Sequence, residues 1–122
     1  MVNRNGKKGS SFERLIADHF KECWPDRAAE FIDRQVKMGS RDVGDLCNVR
    51  LGSHKLAVEI KTVRSMDLSG WLREAQEEAE NLGAVAGVVV HKRIRHGKPG
   101  EQYITMTVDD LINIIHAARS EQ

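Results

Sequence analysis

The spacing of hydrophobic positions changes along the chain, and each change marks an element. In "SSFERLIADHFKECW", Phe12, Leu15, Ile16, His19, Phe20 and Cys23 recur at the spacing of one helix face, and Pro25 closes the segment. "FIDRQVKM" alternates as a strand does, and "GSRDVGD" after it, with two glycines and two acids, reads as a loop. Two more strands follow, joined near Gly52-Ser53. Leu68, Leu72, Ala75, Ala79 and Leu82 mark the face of a helix that Gly83 terminates, because glycine takes the left-handed conformation past a helix end most readily. "AVAGVVVH" is apolar throughout, as a strand covered on both faces is, and belongs at the centre of a sheet. "EQYITMT" predicts a further strand, and "TVDDLINIIHAAR" a closing helix whose first turn holds Thr107 and Asp110 in a capping-box arrangement. The order is helix, three strands, helix, strand, strand, helix, which makes an α/β chain.

Length and composition narrow the class. A chain of 122 residues is long enough for one domain with a core and too short for two. We expect a flexible basic N-terminus over 1–9, a single domain over 10–119 and a tail over 120–122. Apolar residues make up 40% and charged residues 30%, the balance of a soluble globular protein. The longest apolar run, "AVAGVVV", is far short of the ~20 residues that span a bilayer. "MVNRNGKKGSS" is polar and basic and does not read as a secretory signal. Cys23 and Cys47 form no dense framework, which suits two free thiols in a reducing compartment. No membrane association and a cytoplasmic location are the expectations.

The richest stretch is "GDLCNVRLGSHKLAVEIKT", residues 44 to 62. Successive strand side chains point to opposite faces. His54, Leu56, Val58 and Ile60 therefore share a greasy face, while Lys55, Ala57, Glu59 and Lys61 share a charged one. Glu59 and Lys61 stand about 7 Å apart by strand rise, close enough to reach one phosphate. An exposed ion pair gives the same pattern and contributes little. With Asp45 brought beside them, the two carboxylates form a site for a hard divalent cation, since Mg²⁺ takes oxygen ligands and needs only one or two from the protein. An ammonium beside a metal-bound water can orient that water and stabilise charge building on an attacked phosphate.

Net charge is only +1, but its distribution is uneven. Arg4, Lys7 and Lys8 cluster at one end, "HKRIRHGK" at 91 to 98 makes a second basic block, and acids crowd into 74 to 80. Such separation of sign makes a local basic surface on a nearly neutral protein, although solvated loops produce it too. Arg34, Arg41, Lys92, Arg93 and Arg95 join the first three as candidate backbone contacts; the first two flank the proposed site and the others follow the central strand. Neither the five histidines nor the two cysteines show paired zinc spacing. A phosphate-binding glycine loop and a Gly-x-Ser-x-Gly elbow are also missing.

An acid preceded by glycine, a hairpin, an apolar strand ending in Glu-Ile-Lys and then an amphipathic helix together resemble the PD-(D/E)XK nuclease superfamily. That superfamily has a restriction-endonuclease-like αβββαβ core, a mixed central sheet flanked by helices. More narrowly, "GSRDVGDLCNV", "LAVEIKT", "DLSGWLREAQEEAENLGA" and "VAGVVVHKR" look like the small resolvase-type nucleases of phages, related to archaeal Holliday junction resolvases. The resemblance implies that Asp45 and Glu59 are the metal-binding acids, with Ile60 between Glu59 and Lys61 also at the metal, and that Lys61 is the motif lysine. It maps Glu13 to an acid carried on the first helix and Gln76 to a polar residue on the helix after the motif strand. The cofactor it implies is Mg²⁺, with Mn²⁺ as substitute. The superfamily's first motif residue is nominally proline, and here Gly44 precedes Asp45.

Several of these positions have a second reading. Ser10 and Glu13 stand three apart at the predicted helix start, which is a capping box. Gln76, between Leu72 and Ala79, can bond to backbone instead. Asp42 competes with Asp45 as the first acid. Trp24, Trp71 and the Ile114-Ile115 pair suit either a core or an interface.

Register supplies a test. With Gly52-Ser53 as a two-residue turn, Leu51 pairs with His54, and a regular ladder would pair Asp45 with Ile60. That puts Cys47, Val49 and Leu51 with the apolar face and aims Asp45 into it. Asp45 is therefore expected before the regular ladder or at a bulge near Leu46, with its carboxylate turned toward Glu59.

The resulting expectation is a metal-dependent endonuclease on branched double-stranded DNA, a Holliday junction resolvase ahead of a flap or general branched-DNA nuclease. It would act as a homodimer in the cytoplasm of a bacterial or phage-infected cell. The alternative from another class is a nucleic-acid-binding module on the same fold that does not cut.

Overall fold

The first apolar stripe becomes helix α1, Arg4–Cys23, which turns Phe12, Ile16 and Ala17 inward. The computed structural model describes residues 4–37, 39, 41–62 and 64–121, with side chains from residue 9 onward. The side chains of Arg4, Lys7 and Lys8 thus lie outside the described residues. α1 begins six residues before Ser10, so Ser10 and Glu13 sit inside the helix and form no capping box. Once a turn exists, extending it adds one hydrogen bond per residue with no new nucleus, and the polar stretch before Ser10 is added on those terms.

The strand expected over "FIDRQVKM" is short. Asp26 caps a 3-10 turn, Arg27–Phe31, by accepting from the Ala28 N–H at 2.9 Å. Only Asp33–Arg34 (β1) then pairs, antiparallel with Leu46–Cys47 (β2). Arg50–Leu51 (β3) and His54–Lys61 (β4) form the hairpin in the expected register, Leu51 opposite His54.

The ladder breaks before it reaches Asp45, as expected. The Leu56 N–H donates to the Val49 carbonyl, whereas the Asp45 N–H donates to Val58, so four steps back from residue 49 match only two forward along β4 from residue 56. The surplus is absorbed at Asn48, whose φ of 62° is a left-handed conformation that asparagine tolerates. The break lies two residues beyond Leu46. It also exchanges the expected core residue: Leu46 is buried, and Cys47 turns aside toward the Phe31 carbonyl.

Helix α2, Leu68–Leu82, is capped by Asp67 and ended by Gly83 at φ 71°. Its inward face is Trp71, Ala75, Glu78 and Ala79, rotated from the expected stripe, which leaves Leu68 exposed. Strand β5, Ala86–His91, runs parallel to β4 and is buried along its whole length. Tyr103–Thr105 (β6) pairs antiparallel with the end of β5, giving the sheet order β3-β4-β5-β6. Helix α3, Val108–Ser120, starts at Thr107, whose hydroxyl accepts from the Asp110 N–H, and packs beside β5.

The sheet has two covered faces. Leu56, Val58, Ile60, Val88 and Val90 meet Phe12, Ile16 and Ala17 of α1 on one. Val89 meets Trp71 and Ala75 of α2 on the other. The face of β4 read as charged lies under α2, and Ala57 and Glu59 on it are buried. Trp71 is a core residue, Trp24 is half-buried against the α1 core, and among the described residues both cysteines are free. No helix among the described residues is long and apolar enough to cross a membrane.

Candidate functional site

Gly44 sets the geometry. Its φ of +104° lies where side chains are strained, and a Cβ there would come within 3.0 Å of the Val58 carbonyl oxygen and 3.3 Å of Glu78 Oε2. The loop lies against β4 because residue 44 has no side chain. Proline, locked near φ −65°, cannot make this turn, which accounts for the departure from the resembled motif. Asp42 closes the turn by accepting from the Gly44 N–H at 2.9 Å. Asn81, near the end of α2, donates to the Asp42 carbonyl at 2.8 Å, and Arg41 reaches the Asn81 side chain at 3.3 Å.

Asp45 is thereby delivered to the end of β4. Its Oδ2 accepts from the Ile60 N–H at 2.7 Å, and its Oδ1 from Lys37 Nζ at 3.0 Å. Strand N–H and C=O groups of one residue face the same edge, so the Ile60 carbonyl also looks toward Asp45. Lys61 Nζ lies 3.7 Å from Glu59 Oε2 and 2.6 Å from Glu74 Oε2. The three residues singled out on the strands are thus gathered at one place. Glu59 is 5% exposed and Glu78 of α2 only 1%. One carboxylate oxygen each from Asp42, Glu59 and Glu78 lie within 4.8 Å of one another.

The electrostatics follow from burying acids together. Burial drives Glu59 far above the usual carboxylate range, and hydrogen bonding to the carboxyls of Asp45, Glu74 and Glu78 pushes the same way. Burial also raises Asp45, but the bonds from Glu59, the Ile60 N–H and Lys37 outweigh it and hold Asp45 low. The proton therefore belongs to Glu59 and the charge to Asp45. Glu78 is pushed up to about 7, chiefly by burial. Apart from the proton carried by Glu59, no donor reaches either of its oxygens. Burial pulls Lys61 down, but the Glu74 hydrogen bond and the charges of Glu59, Glu74 and Asp45 keep it above its ordinary value.

The remaining expected residues divide. Glu13 comes to the rim of the site: burial and then the Asp45 charge raise its pKa, and Arg34 Nε stands 3.9 Å from its carboxylate. Gln76 does not join the cluster. It donates to Asp110 of α3 at 2.5 Å, because residue 76 projects away from the side that carries Glu74 and Glu78. Lys92, whose N–H donates to the Lys61 carbonyl at 3.0 Å, lies over the Phe12 ring at 5.4 Å; Arg93 lies over Tyr103 at 4.6 Å, and Arg95 is exposed.

Lys37, Glu74 and Glu78 were not singled out from the sequence. The signal for Glu78 was present: it is an acid on the same helix face as Trp71, Ala75 and Ala79. The donor set fits a hard divalent cation, being all carboxylate and carbonyl oxygen, with buried acid oxygens that few donors reach. No protein-family model matches the chain, and no curated protein matches it in sequence.

Proposed function

We propose that the protein is a metal-dependent, structure-specific endodeoxyribonuclease with a restriction-endonuclease-like core, and that its substrate is a four-way DNA junction. The observation that carries this is the meeting of Asp45, from the loop before β2, with Glu59 and Lys61 of β4: Lys61 lies 3.7 Å from Glu59 and Asp45 is held on the Ile60 N–H. Glu59 with Asp45 and the neighbouring acids would hold Mg²⁺ or Mn²⁺. When bound, such a cation neutralises the scissile phosphate and makes an attacking hydroxide available near neutral pH.

The chain's own residues supply the rest. Lys61, fixed by Glu74, presents an ammonium beside Glu59 and stabilises charge on the phosphate as the water oxygen bonds to phosphorus and the bridging P–O bond breaks. The leaving oxygen takes a proton from solvent or a neighbouring acid. Arg34 on β1 and the basic residues after β5 would hold the DNA backbone, contacts that position without reading sequence. Matched cuts across a junction need two sites, so the working form is a symmetric homodimer.

A cleavage assay with Mg²⁺ or Mn²⁺ on a synthetic four-way junction, a flap and a plain duplex tests this. Wild type should give paired, symmetric nicks near the branch point, and Asp45→Asn and Lys61→Ala should each lose at least about 10²-fold in rate. Binding of all three DNAs with no metal-dependent product would instead mark a non-cleaving module. Preferential flap cutting would overturn the junction assignment.

A further inference from the structure

Helix α3 has two apolar sides, and only one of them is used. On the inner side Ala117 is buried, Ile114 packs against the α1 core, Asp110 accepts from Gln76 of α2, and Asn113 donates to the Val85 carbonyl at 3.2 Å. The far end is held as well, with Ser120 Oγ 3.1 Å from the His54 ring. On the opposite side Val108, Leu111, Ile112 and Ile115 recur at the i, i+3, i+4, i+7 spacing of a buried stripe, yet they are 44–76% exposed and no described residue covers them. A helix lying on a core needs one apolar stripe. A second one, turned to water, marks a surface built for contact.

We propose that this outer stripe of α3 is where a second copy of the chain docks, the two α3 helices lying antiparallel across a two-fold axis near Ile112. Such an axis lays the stripe on itself, Ile112 against Ile112 and Val108 toward the C-terminal end of the opposing helix. The charges fit that direction. Asp109 flanks the N-terminal end of the stripe, His116 and Arg119 flank its C-terminal end, and all three are exposed. Antiparallel copies set acid against base at both ends, whereas parallel copies would set like against like. An unlike partner would have no need of both signs at opposite ends of one stripe. The size suits a modest dimer: with Ile104 of β6, the end strand that leads into α3, five side chains expose roughly 450 Å² per copy, and twice that with a polar rim reaches the roughly 1,200 Å² of the smallest specific interfaces. Because α3 is already fixed along its inner side, docking orders little new chain.

The inference rests on the nuclease reading only for the expectation that two copies meet, and its test needs no DNA. Wild type, followed by sedimentation equilibrium from about 1 to 200 µM, should be chiefly dimeric at the upper end. Ile112→Asp should raise the dimer Kd at least about 100-fold with an unchanged far-UV circular dichroism spectrum, because it seats two carboxylates against each other out of water. Asp109→Arg and Arg119→Asp should each weaken pairing about three- to tenfold, and the two together should restore the wild-type Kd to within about threefold. Ile94→Asp, at an exposed isoleucine outside α3, should leave it unchanged. A wild type still monomeric at about 200 µM overturns the proposal, as does an Ile112→Asp dimer weakened less than about threefold. If Ile112→Asp does not fold, the charge pair decides, and a double variant no better than its parents overturns the antiparallel pairing. A dimer that Ile112→Asp dissociates but that cuts no DNA would refute the nuclease and leave the pairing standing; a monomer that nicks a four-way junction would do the opposite.

Discussion

The two faces of the β4–β5 pair are covered by helices of opposite chemistry. Against α1 the contacts are uninterrupted hydrocarbon, with Ile16 1% exposed among Leu56, Val58, Ile60, Val88 and Val90. Against α2 the apolar contact of Trp71 and Ala75 with Val89 gives way to Glu78 beside Glu59. The first face removes apolar surface from water and so stabilises the fold. The second gives up stability by taking acids out of water with few donors to compensate them. A fold keeps such a face when the groups there have work to do, which is why the site is sought under α2.

The sharpest way to break this contrast is to substitute one residue on each face. Glu59→Gln should remove metal-dependent cleavage, by at least about 10²-fold, while holding or raising the stability of the metal-free protein. Ile16→Ala should do the reverse, lowering stability by about 2–5 kcal/mol in chemical denaturation with the rate per folded molecule unchanged. If Glu59→Gln destabilises as much as Ile16→Ala, the α2 face is ordinary core.

A smaller effect sharpens the same contrast through pH. Without metal, burial first, then the charges of Asp42, Asp45 and Glu74, raise Glu78 from 4.5 to about 7 against the opposing Glu59 bond. The folded state then holds a proton that the unfolded chain has released, so stability must fall as pH rises from about 4.5 to 7, by up to about 3 kcal/mol. Glu59, also raised, carries the decline further upward, while Asp45 and Glu74, both lowered, act oppositely in the acid range. Lys37 and Lys61 stay charged throughout. Denaturation in EDTA at pH 5 and pH 8 should show the protein more stable at pH 5, and saturating Mn²⁺ should flatten the difference. Ile16→Ala should shift the curve without changing its slope.

The same contrast explains what the sequence made legible. Apolar periodicity is a record of burial against hydrocarbon, so the α1 stripe, the fully apolar β5, the hairpin register and the Gly83 stop were all readable. The displaced Asp45 was readable too, because a regular ladder would have aimed a carboxylate into the core. Glu74 was not, since helix patterning sorts acids to the solvent side and only the pairing with Lys61 of β4 brings it to the site; Glu78 was signalled by sharing the face of Ala75 and Ala79 and went unread. Gln76 stands apart from the cluster for the complementary reason: its position on the helix faces α3, where Asp110 accepts from it. The short β1 reflects the preceding 3-10 turn, which uses residues the alternation had assigned to a strand.

The most direct test of the acidic site is an anomalous difference map from crystals grown with MnCl₂. The prediction is a single strong peak within about 2.2 Å of a Glu59 carboxylate oxygen, between β4 and α2. A well-ordered, solvent-accessible site with no peak there at millimolar Mn²⁺, or a peak elsewhere on the surface, would contradict it.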